Sequence, residues 1–231
     1  MPRALIVTPQ LEELEPLLRR FRSLGHLSRP IEVGQMACFE LPSLDVVAAI
    51  GGHGKAQFAL QSQYLVDRLS KLRALLCVGA AGSLSDTLRL GDLVVGTATV
   101  EHDYKLRFLR APLLRHAGNA SLLGQLREVV AVREFDFAVH LGVIASGDED
   151  VVDPSRADEL RLATGALCVA WEGSGAARVA SFNALRFLEL RCISDGADAG
   201  ASDSFHENCS RVMPNAADLI VRWLSSSELA G

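Results

Sequence analysis

The sequence has 231 residues, of which 49% are hydrophobic and 22% are charged, and its formal net charge is −5. This composition is sufficient for the core of one α/β domain and excludes extensive disorder. No basic stretch suggests a nucleic-acid partner, and no apolar run approaches the length needed to span a membrane.

Apolar runs alternate with amphipathic segments along the whole chain. Strands are predicted at 4–7, 35–41, 44–50, 74–78, 93–100, 138–146, 166–171 and 185–193. Helices are predicted at 10–24, 55–72, 119–132, 155–163, 173–183 and 204–229, and 107–118 is predicted to be a loop or a short helix at a rim. This alternation is typical of a mainly parallel or mixed sheet covered by helices on both faces, in a single domain over 1–231.

Five cysteines are spread widely, at positions 38, 77, 168, 192 and 209, with no C-x-x-C pair. Their odd number and spacing indicate neither a disulfide framework nor a zinc site, and Cys77, Cys168 and Cys192 are predicted to lie in the core. The apolar stretch at the N-terminus is too short for a signal peptide, so a cytoplasmic location is expected.

Two glycine-rich segments follow predicted strands, GGHGK at 51–55 and GAAGS at 79–83. GGHGK lacks the first glycine and the final Ser or Thr of a phosphate loop, and GAAGS does not form a dinucleotide-binding pattern. Both are interpreted as tight strand exits where backbone N–H groups can approach a ligand. The alternative, that these glycines serve only in turns, stays open.

The segment CISDGAD at 192–198 places an aspartate at the end of a predicted buried strand. Catalytic groups of α/β enzymes are often found at such strand ends. Taken alone, the pattern is compatible with a proton donor or with an aspartate that only forms a turn.

Five motifs occur together in one order: GGHGKAQFA (51–59), VGAAGSLSDTLRLGDLVV (78–95) with EHD (101–103), SGDEDV (146–151), VAWEGSGAARVA (169–180) and RCISDGAD (191–198). In these motifs the chain resembles the purine nucleoside phosphorylase/nucleosidase superfamily, most closely the methylthioadenosine/S-adenosylhomocysteine nucleosidases. The resemblance implies a three-layer α/β/α sandwich with a twisted, partly closed mixed sheet. It also implies a homodimer, a nucleoside substrate, no cofactor or metal, and a place in methionine salvage.

The resemblance assigns the catalytic residues. Asp195 matches the acid that protonates or hydrogen-bonds N7 of the purine, a role that burial supports by raising the pKa of a carboxyl group. Glu13 matches the glutamate that activates water, with its neighbour Glu12 as the alternative. Ser194, which precedes Asp195 in the motif, is assigned to substrate binding, and His102-Asp103 to structure and the subunit interface.

Further residues are assigned to the substrate by the same resemblance. Glu172 matches the carboxylate that holds the ribose hydroxyls, and Trp171 replaces the methionine usually found beneath the ribose, where it would support a cationic sugar or fill the core. Val151 matches the residue whose backbone reads the purine edge, and Phe205 matches an aromatic that lines the pocket of the 5′-group.

Three positions depart from the pattern in addition to Trp171 and Ala80. Asp150 stands where an aromatic usually stacks on adenine, Ala170 replaces an acid, and His53 replaces an apolar residue near the ribose. His53 is therefore either a turn residue or a contact for a polar 5′-substituent.

Water is favoured over phosphate as the nucleophile. Phosphorylases of the family usually carry an arginine and a hydroxyl residue where this chain has Cys77 and Ala80, neither of which can anchor a dianion. Glu13 would also repel bound phosphate. A phosphorylase of the same superfamily remains one alternative. A non-catalytic nucleoside-binding protein is another, motivated by the changes at Asp150, at Ala170 and at Ala80, where the nucleosidases usually have a serine.

Overall fold

Ten strands form one mixed sheet in the computed structural model, which describes residues 3–106, 108 and 111–226. The strands are β1 (Ala4–Thr8), β2 (Arg29–Val33), β3 (Met36–Leu41), β4 (Val46–Ile50), β5 (Ala74–Ser83), β6 (Leu93–Glu101), β7 (Leu114–Ala117), β8 (Val139–Ser146), β9 (Ala166–Ala170) and β10 (Arg186–Asp195). The α-helices are α1 (Leu11–Ser23), α2 (Lys55–Val66), α3 (Ala120–Val132), α4 (Pro154–Thr164), α5 (Gly173–Phe182) and α6 (Ala201–Ser226).

Half of the sheet closes on itself. Strand β10 pairs with both β5 and β6, and the path continues from β6 through β8 and β9 back to β5. The remaining strands extend from β5 as an open sheet in the order β1, β4, β3, β2. Within the described part of the chain, strand β7 is not part of the ring or of this open sheet and pairs only with β6, in the antiparallel direction. The closed ring is a five-stranded barrel, and its strand ends position the candidate site.

Helices cover both faces of the sheet, as the alternation of side chains in β1 shows. Ile6 packs in a cluster with side chains of α1, α3 and α6, among them the fully buried Trp223. Leu5 and Val7 pack on the opposite face, in a cluster with side chains of α2 and α5. The predicted three-layer α/β/α sandwich with a partly closed mixed sheet is confirmed, and Cys77, Cys168 and Cys192 lie in the core as predicted.

The prediction of a turn at GAAGS is wrong. Gly79–Gly82 continue strand β5, which pairs with β10 from Ala74 to Gly82 and then with β9. The extra pairing arises because β5 takes part in the barrel closure, which the local sequence does not reveal. The turn at GGHGK is present, and Gly52 and Gly54 adopt φ values of 83° and 82°, a conformation that favours glycine.

Other boundaries also differ from the predictions. Strand β2 was not predicted, because it is a largely exposed edge strand without an apolar run. Strand β7 lies within the segment predicted as a loop or helix, where its pairing with β6 creates it. Helix α2 ends six residues earlier than predicted, and α6 begins at Ala201, while residues 227–229 of the predicted helix lie outside the described part.

Within residues 3–106, 108 and 111–226, no helix is both long and apolar enough to cross a membrane.

Candidate active site

A cavity of about 300 Å³ opens at the ends of β5, β9 and β10, between the starts of α1 and α6. This volume lies at the lower end of the range for small-molecule sites. All ten residues assigned to the site from the sequence line this cavity: Glu13, His53, Ala80, Asp150, Val151, Trp171, Glu172, Ser194, Asp195 and Phe205. The structure therefore brings together residues that are up to 192 positions apart in the chain.

Glu13 lies in the first turn of α1 and is almost fully buried, whereas Glu12 is exposed. Its Oε1 accepts a hydrogen bond from the Ala80 amide at 2.8 Å, and its Oε2 accepts one from the Gln10 amide at 2.9 Å. Burial raises the pKa of Glu13 to about 8, the nearby Glu172 carboxylate adds to this effect, and the two amides oppose it. The geometry thus favours Glu13 over Glu12, which faces His206 instead.

Glu172 follows β9 and is the N-cap residue of α5. Its Oε1 accepts a hydrogen bond from the Gly54 amide at 3.3 Å, which ties the GGHGK turn to the cavity wall. Its Oε2 accepts one from Arg191 Nη2 at 3.1 Å. A backbone amide therefore holds one oxygen of the carboxylate, and a buried cation holds the other.

Arg191 is 1% exposed and was not singled out from the sequence. Burial alone would lower its pKa, but Cys77 and the carboxylates of Glu189, Glu172 and Glu13 raise it well above its ordinary value, so the guanidinium stays charged. Residues 189 and 191 alternate with apolar residues in LELRCIS. This period-two pattern of charge in a buried strand is the signal that could have identified both residues.

Asp195 ends β10 at the rim of the cavity. Its Oδ2 accepts a hydrogen bond from the Ser194 hydroxyl at 2.7 Å, and its Oδ1 accepts one from the Ala197 amide at 2.9 Å. Burial raises the pKa of Asp195 from its ordinary value, while these two hydrogen bonds lower it. Gly82 gives the carboxylate its space, because a Cβ on Gly82 would lie 2.7 Å from Oδ1.

Trp171 and His53 form one wall, where their ring centroids lie 4.0 Å apart and their planes are tilted by 38°. His53 Nδ1 lies 3.7 Å from Glu172 Oε1 and 3.5 Å from the side-chain amide of Gln10. His53 is half-exposed, so it presents a polar edge to both the carboxylate and solvent. These contacts favour a role for His53 in the site, rather than a role only in the turn.

Val151 and Asp150, in the segment after β8, also line the cavity. Val151 is 7% exposed, whereas Asp150 is exposed. Phe205 and the adjacent His206, on α6, complete the rim. The position to which the resemblance assigns a base-stacking aromatic is thus an exposed acidic residue of the cavity lining.

His102 and Asp103 follow β6 outside the cavity lining. Lys55 Nζ binds Asp103 and also donates to Glu101 at 3.0 Å. Asp103 in turn accepts a hydrogen bond from the Asp148 amide at 2.9 Å, so this cluster joins the start of α2 to the segment after β8. Among the described residues, no group of three or more His, Cys, Asp or Glu stands in a position to hold a metal ion.

Comparison with known proteins places this arrangement in context. The model of a family described as the phosphorylase superfamily matches residues 3–225. The 5′-methylthioadenosine/S-adenosylhomocysteine nucleosidase of Thermotoga maritima is 29% identical over 210 residues, which cover 89% of this chain and 87% of that protein. The aminodeoxyfutalosine nucleosidase of Campylobacter jejuni is 26% identical and covers 90% of this chain and 91% of its own length.

A solved structure is similar over the whole fold. The 5′-methylthioadenosine/S-adenosylhomocysteine nucleosidase of Helicobacter pylori, in complex with a pyrrolidinol that carries an aminopyrrolopyrimidine, superposes with a TM-score of 0.87. The two chains are 26% identical, and the match covers 98% of this chain and 99% of the other. The cavity therefore lies in a fold that holds a nucleoside-like inhibitor in this related protein.

Proposed function

The chain belongs to the phosphorylase superfamily, and from this premise we propose that it is a purine nucleosidase. It hydrolyses the N-glycosidic bond of a 5′-modified adenosine or a related nucleoside to the free base and the free sugar. One observation carries this proposal: Glu13 and Asp195, from the first helix and the last strand, line the same cavity, which has the volume of a small-molecule site.

The two carboxyl groups act on opposite sides of the glycosidic bond. Asp195 donates a proton to N7 of the purine, so that the base leaves as a neutral molecule rather than as an anion. As the bond from the sugar to N9 breaks, water attacks C1′ and gives a proton to Glu13. A carboxylate whose conjugate acid has a pKa of about 8 is a strong proton acceptor for this step.

Glu172 holds the sugar during this reaction. Its carboxylate lies beside Trp171 and His53 in the cavity lining, where it would accept hydrogen bonds from the ribose hydroxyls. These bonds strengthen as positive charge develops on the sugar, so they lower the barrier as well as the dissociation constant. The face of Trp171 adds favourable electrostatics for a cationic ring.

Two observations support water over phosphate. The Ala80 amide, which an anion would need, already donates to Glu13. The buried cation of the site, Arg191, is neutralised by Glu189 and Glu172, at 2.8 and 3.1 Å. Inorganic phosphate would therefore enter a cavity whose lining is acidic and whose cation is already paired.

Several further assignments rest on the family resemblance. We propose that residues 1–231 form one catalytic domain, that the protein acts as a cytoplasmic homodimer, and that it serves methionine salvage. Phe205 in the rim supports an apolar part of the 5′-substituent, and His53 supports a polar part.

The test is to incubate the protein with 5′-methylthioadenosine, S-adenosylhomocysteine, aminodeoxyfutalosine and unmodified adenosine, with and without phosphate. We expect free adenine or the corresponding free base, together with free sugar, at a rate that phosphate does not change. A sugar 1-phosphate product would establish a phosphorylase. Binding without release of base over hours would establish a non-catalytic binding protein.

A further inference from the structure

Glu189 is a buried carboxylate that the reaction described above does not use. It is 0% exposed, does not line the cavity, and lies in β10 two residues before Arg191. Placing a charged group in a protein interior is costly unless it is paired and hydrogen-bonded. The contacts of Glu189 therefore indicate what it contributes.

Both carboxylate oxygens of Glu189 have partners inside the barrel. Oε1 accepts a hydrogen bond from Arg191 Nε at 2.8 Å, and Oε2 accepts one from the Thr99 hydroxyl of β6. Because side chains two residues apart in a strand lie on the same face, Glu189 and Arg191 both point into the barrel. Glu189 thus links β10 to β6 through Thr99 and also binds the cation of Arg191 on its own strand.

The guanidinium of Arg191 is held on three sides. Nε donates to Glu189, and Nη1 donates to the Ala80 carbonyl at 3.2 Å. Nη2 donates to Glu172 at 3.1 Å and to Cys77 Sγ at 3.4 Å. A guanidinium is planar, so contacts at its two ends fix the orientation of the whole group. Glu189 holds the Nε end of the guanidinium, and Glu172, the proposed sugar ligand, is bound at the Nη2 end.

The start of α5 lies against the same two carboxylates. Glu172 is its N-cap residue, and a Cβ on Gly173 would lie 2.1 Å from Glu189 Oε2. Only glycine lets the helix begin so close to the Glu189 carboxylate. The positive end of the helix dipole stabilises both negative charges, which helps to offset the cost of burying Glu189.

We propose that Glu189 is a positioning residue for sugar recognition: it anchors Arg191, and Arg191 holds the Glu172 carboxylate in the orientation that binds the ribose hydroxyls. The proposal rests on the proposed function, since it takes Glu172 as the sugar ligand. Without Glu189, the guanidinium loses its fixed end and turns toward Glu172, whose oxygens are then drawn away from the ribose.

The first experiment measures hydroxyl recognition without turnover. In the Asp195→Asn background, calorimetry gives the affinities for adenosine and 2′-deoxyadenosine in proteins with Glu189, Glu189→Gln and Glu189→Val. We expect the hydroxyl to strengthen binding about tenfold or more when Glu189 is present, as for a hydrogen bond to a charged group. In Glu189→Val this ratio falls to about threefold or less, and Glu189→Gln, whose amide oxygen still accepts from Nε, restores part of it.

A double-mutant cycle shows whether Glu189 acts through Glu172. In the Glu172→Gln background, Glu189→Val should no longer change the ratio of the two affinities. A matched control is Glu40→Gln, which removes a strand carboxylate paired with Arg29 at the opposite end of the sheet. An unchanged ratio in Glu189→Val alone, or an equal loss in Glu40→Gln, overturns the proposal.

A second measurement separates this proposal from the proposed function. Nitrogen-15 NMR detects the Arg191 Nε–H, which we expect to exchange slowly with solvent in the parent protein and at least about tenfold faster in Glu189→Val, because it loses its partner. If Nε–H protection is unchanged, Glu189 does not anchor Arg191, whatever the ligand. If protection is lost but no form binds a nucleoside, the anchoring stands, while the nucleosidase assignment and the sugar role are both overturned.

Discussion

Asp195 and Glu13 are two carboxyl groups whose surroundings differ. Asp195 has both oxygens engaged, by the Ser194 hydroxyl and the Ala197 amide, and burial raises its pKa against those hydrogen bonds. Glu13 is more deeply buried and has Glu172 nearby, so its pKa rises further, to about 8. Pairs of titratable groups with separated pKa values are typical of acid–base catalysis.

Asp195→Asn should fold normally and lose base release. The asparagine keeps the size of the side chain and an oxygen that accepts from the Ala197 amide, but it has no acidic proton to donate. We expect kcat to fall by about 10²–10⁴, the usual contribution of a general acid. Continuous measurement of base release, with circular dichroism to verify the fold, gives this value.

Asp198→Asn is the matched control. Asp198 lies three residues away, is exposed, and accepts a hydrogen bond from the Gly200 amide that asparagine would also accept. Its kcat should stay within about twofold of the parent value, since surface changes of this kind have small effects. Comparable losses in the two variants would remove Asp195 from its proposed role.

The pH dependence of kcat/KM should show an alkaline limb near pH 8. The proposed reaction needs one proton on the pair, with Asp195 protonated and Glu13 ionised. Glu13, with a pKa of about 8, holds that proton most tightly in the empty site, so the pair loses it as the pH rises through about 8. Above this pH, kcat/KM should fall about tenfold per unit.

Initial rates at low substrate concentration from pH 5 to 10 test this limb. Carbon-13 NMR of labelled glutamate, with Glu13→Gln to assign the resonance, should show the same titration directly. A profile that stays flat to pH 10, or a Glu13 carboxyl that titrates near 4.5, would contradict the electrostatic description of the site.

At the scale of the element, the second half of β5 supplies space as well as hydrogen bonds. Gly79 lies where the site is most crowded: a Cβ there would lie 2.5 Å from Arg191 Nη1 and 2.6 Å from Glu13 Oε1. Both atoms are held by hydrogen bonds, so neither can move away freely. The strand therefore needs glycine at this position, because the side chains of Arg191 and Glu13 both lie close to its Cα.

Gly79→Ala should displace those side chains and impair catalysis. Overpacking of this kind costs about 1–3 kcal/mol of stability, and a displacement of about 1 Å in a catalytic group costs about 100-fold in rate. We expect a decrease of about that size in kcat/KM, with a lowered Tm. Steady-state kinetics and thermal unfolding give the two values.

Gly124→Ala, in the middle of α3, provides the contrasting substitution. A Cβ at Gly124 has no atom within 4 Å, and its backbone is helical. Alanine should stabilise the protein by about 0.5–1 kcal/mol and leave kcat/KM unchanged. If Gly79→Ala behaved in the same way, the crowding at β5 would have no functional meaning.

The elements also show how far the sequence can predict this structure. Strand β1 and helices α1, α3 and α5 were predicted within one or two residues, because their apolar periodicity reports burial directly. The continuation of β5 beyond Val78 was missed, because GAAGS has the composition of a turn and becomes a strand only through pairing with β10 and β9. Edge strand β2 gave no apolar signal at all.

The residues of the site also divide into those that the sequence could predict and those that depend on how the strands pair. Its ten residues were identified from the family resemblance, eight of them within the quoted motifs, and all line one cavity. Glu189 was missed because the resemblance gives it no role, and its partner Thr99 comes from another strand, which becomes a neighbour only when the barrel closes. The sequence does not show how α1 is rotated about its axis relative to the sheet. This rotation buries Glu13 and exposes Glu12, so the structure was needed to choose between them.

At the scale of the whole molecule, the barrel concentrates charge where most folds place apolar residues. Glu13, Glu172, Glu189 and Arg191 are all at most 3% exposed. One buried cation faces three carboxyl groups, so the folded state favours keeping a proton on the most basic of them. In the proposed reaction, this arrangement serves catalysis at the expense of stability, a trade-off common at active sites.

Glu13→Gln should therefore stabilise the protein, and more so at higher pH. The folded protein keeps the Glu13 proton up to about pH 8, whereas the unfolded chain releases it near 4.5, so the parent loses stability as the pH rises between these values. The loss approaches about 1.4 kcal/mol per pH unit, and glutamine, which does not titrate, avoids it. A constant penalty offsets part of the gain, because the new amide group faces a backbone N–H of Gln10 or Ala80.

The penalty from the new amide group does not change with pH. The pH-dependent part of the difference in unfolding free energy therefore reports only the ionisation of Glu13. Urea unfolding at pH 5.5 and pH 8 should give a free-energy difference between Glu13→Gln and the parent that grows by about 2 kcal/mol or more over this interval. Glu15→Gln, on the exposed side of the same helix, should show no such growth. If the two variants respond to pH alike, Glu13 is ionised in the folded protein at neutral pH, and the strong base proposed for water activation is absent.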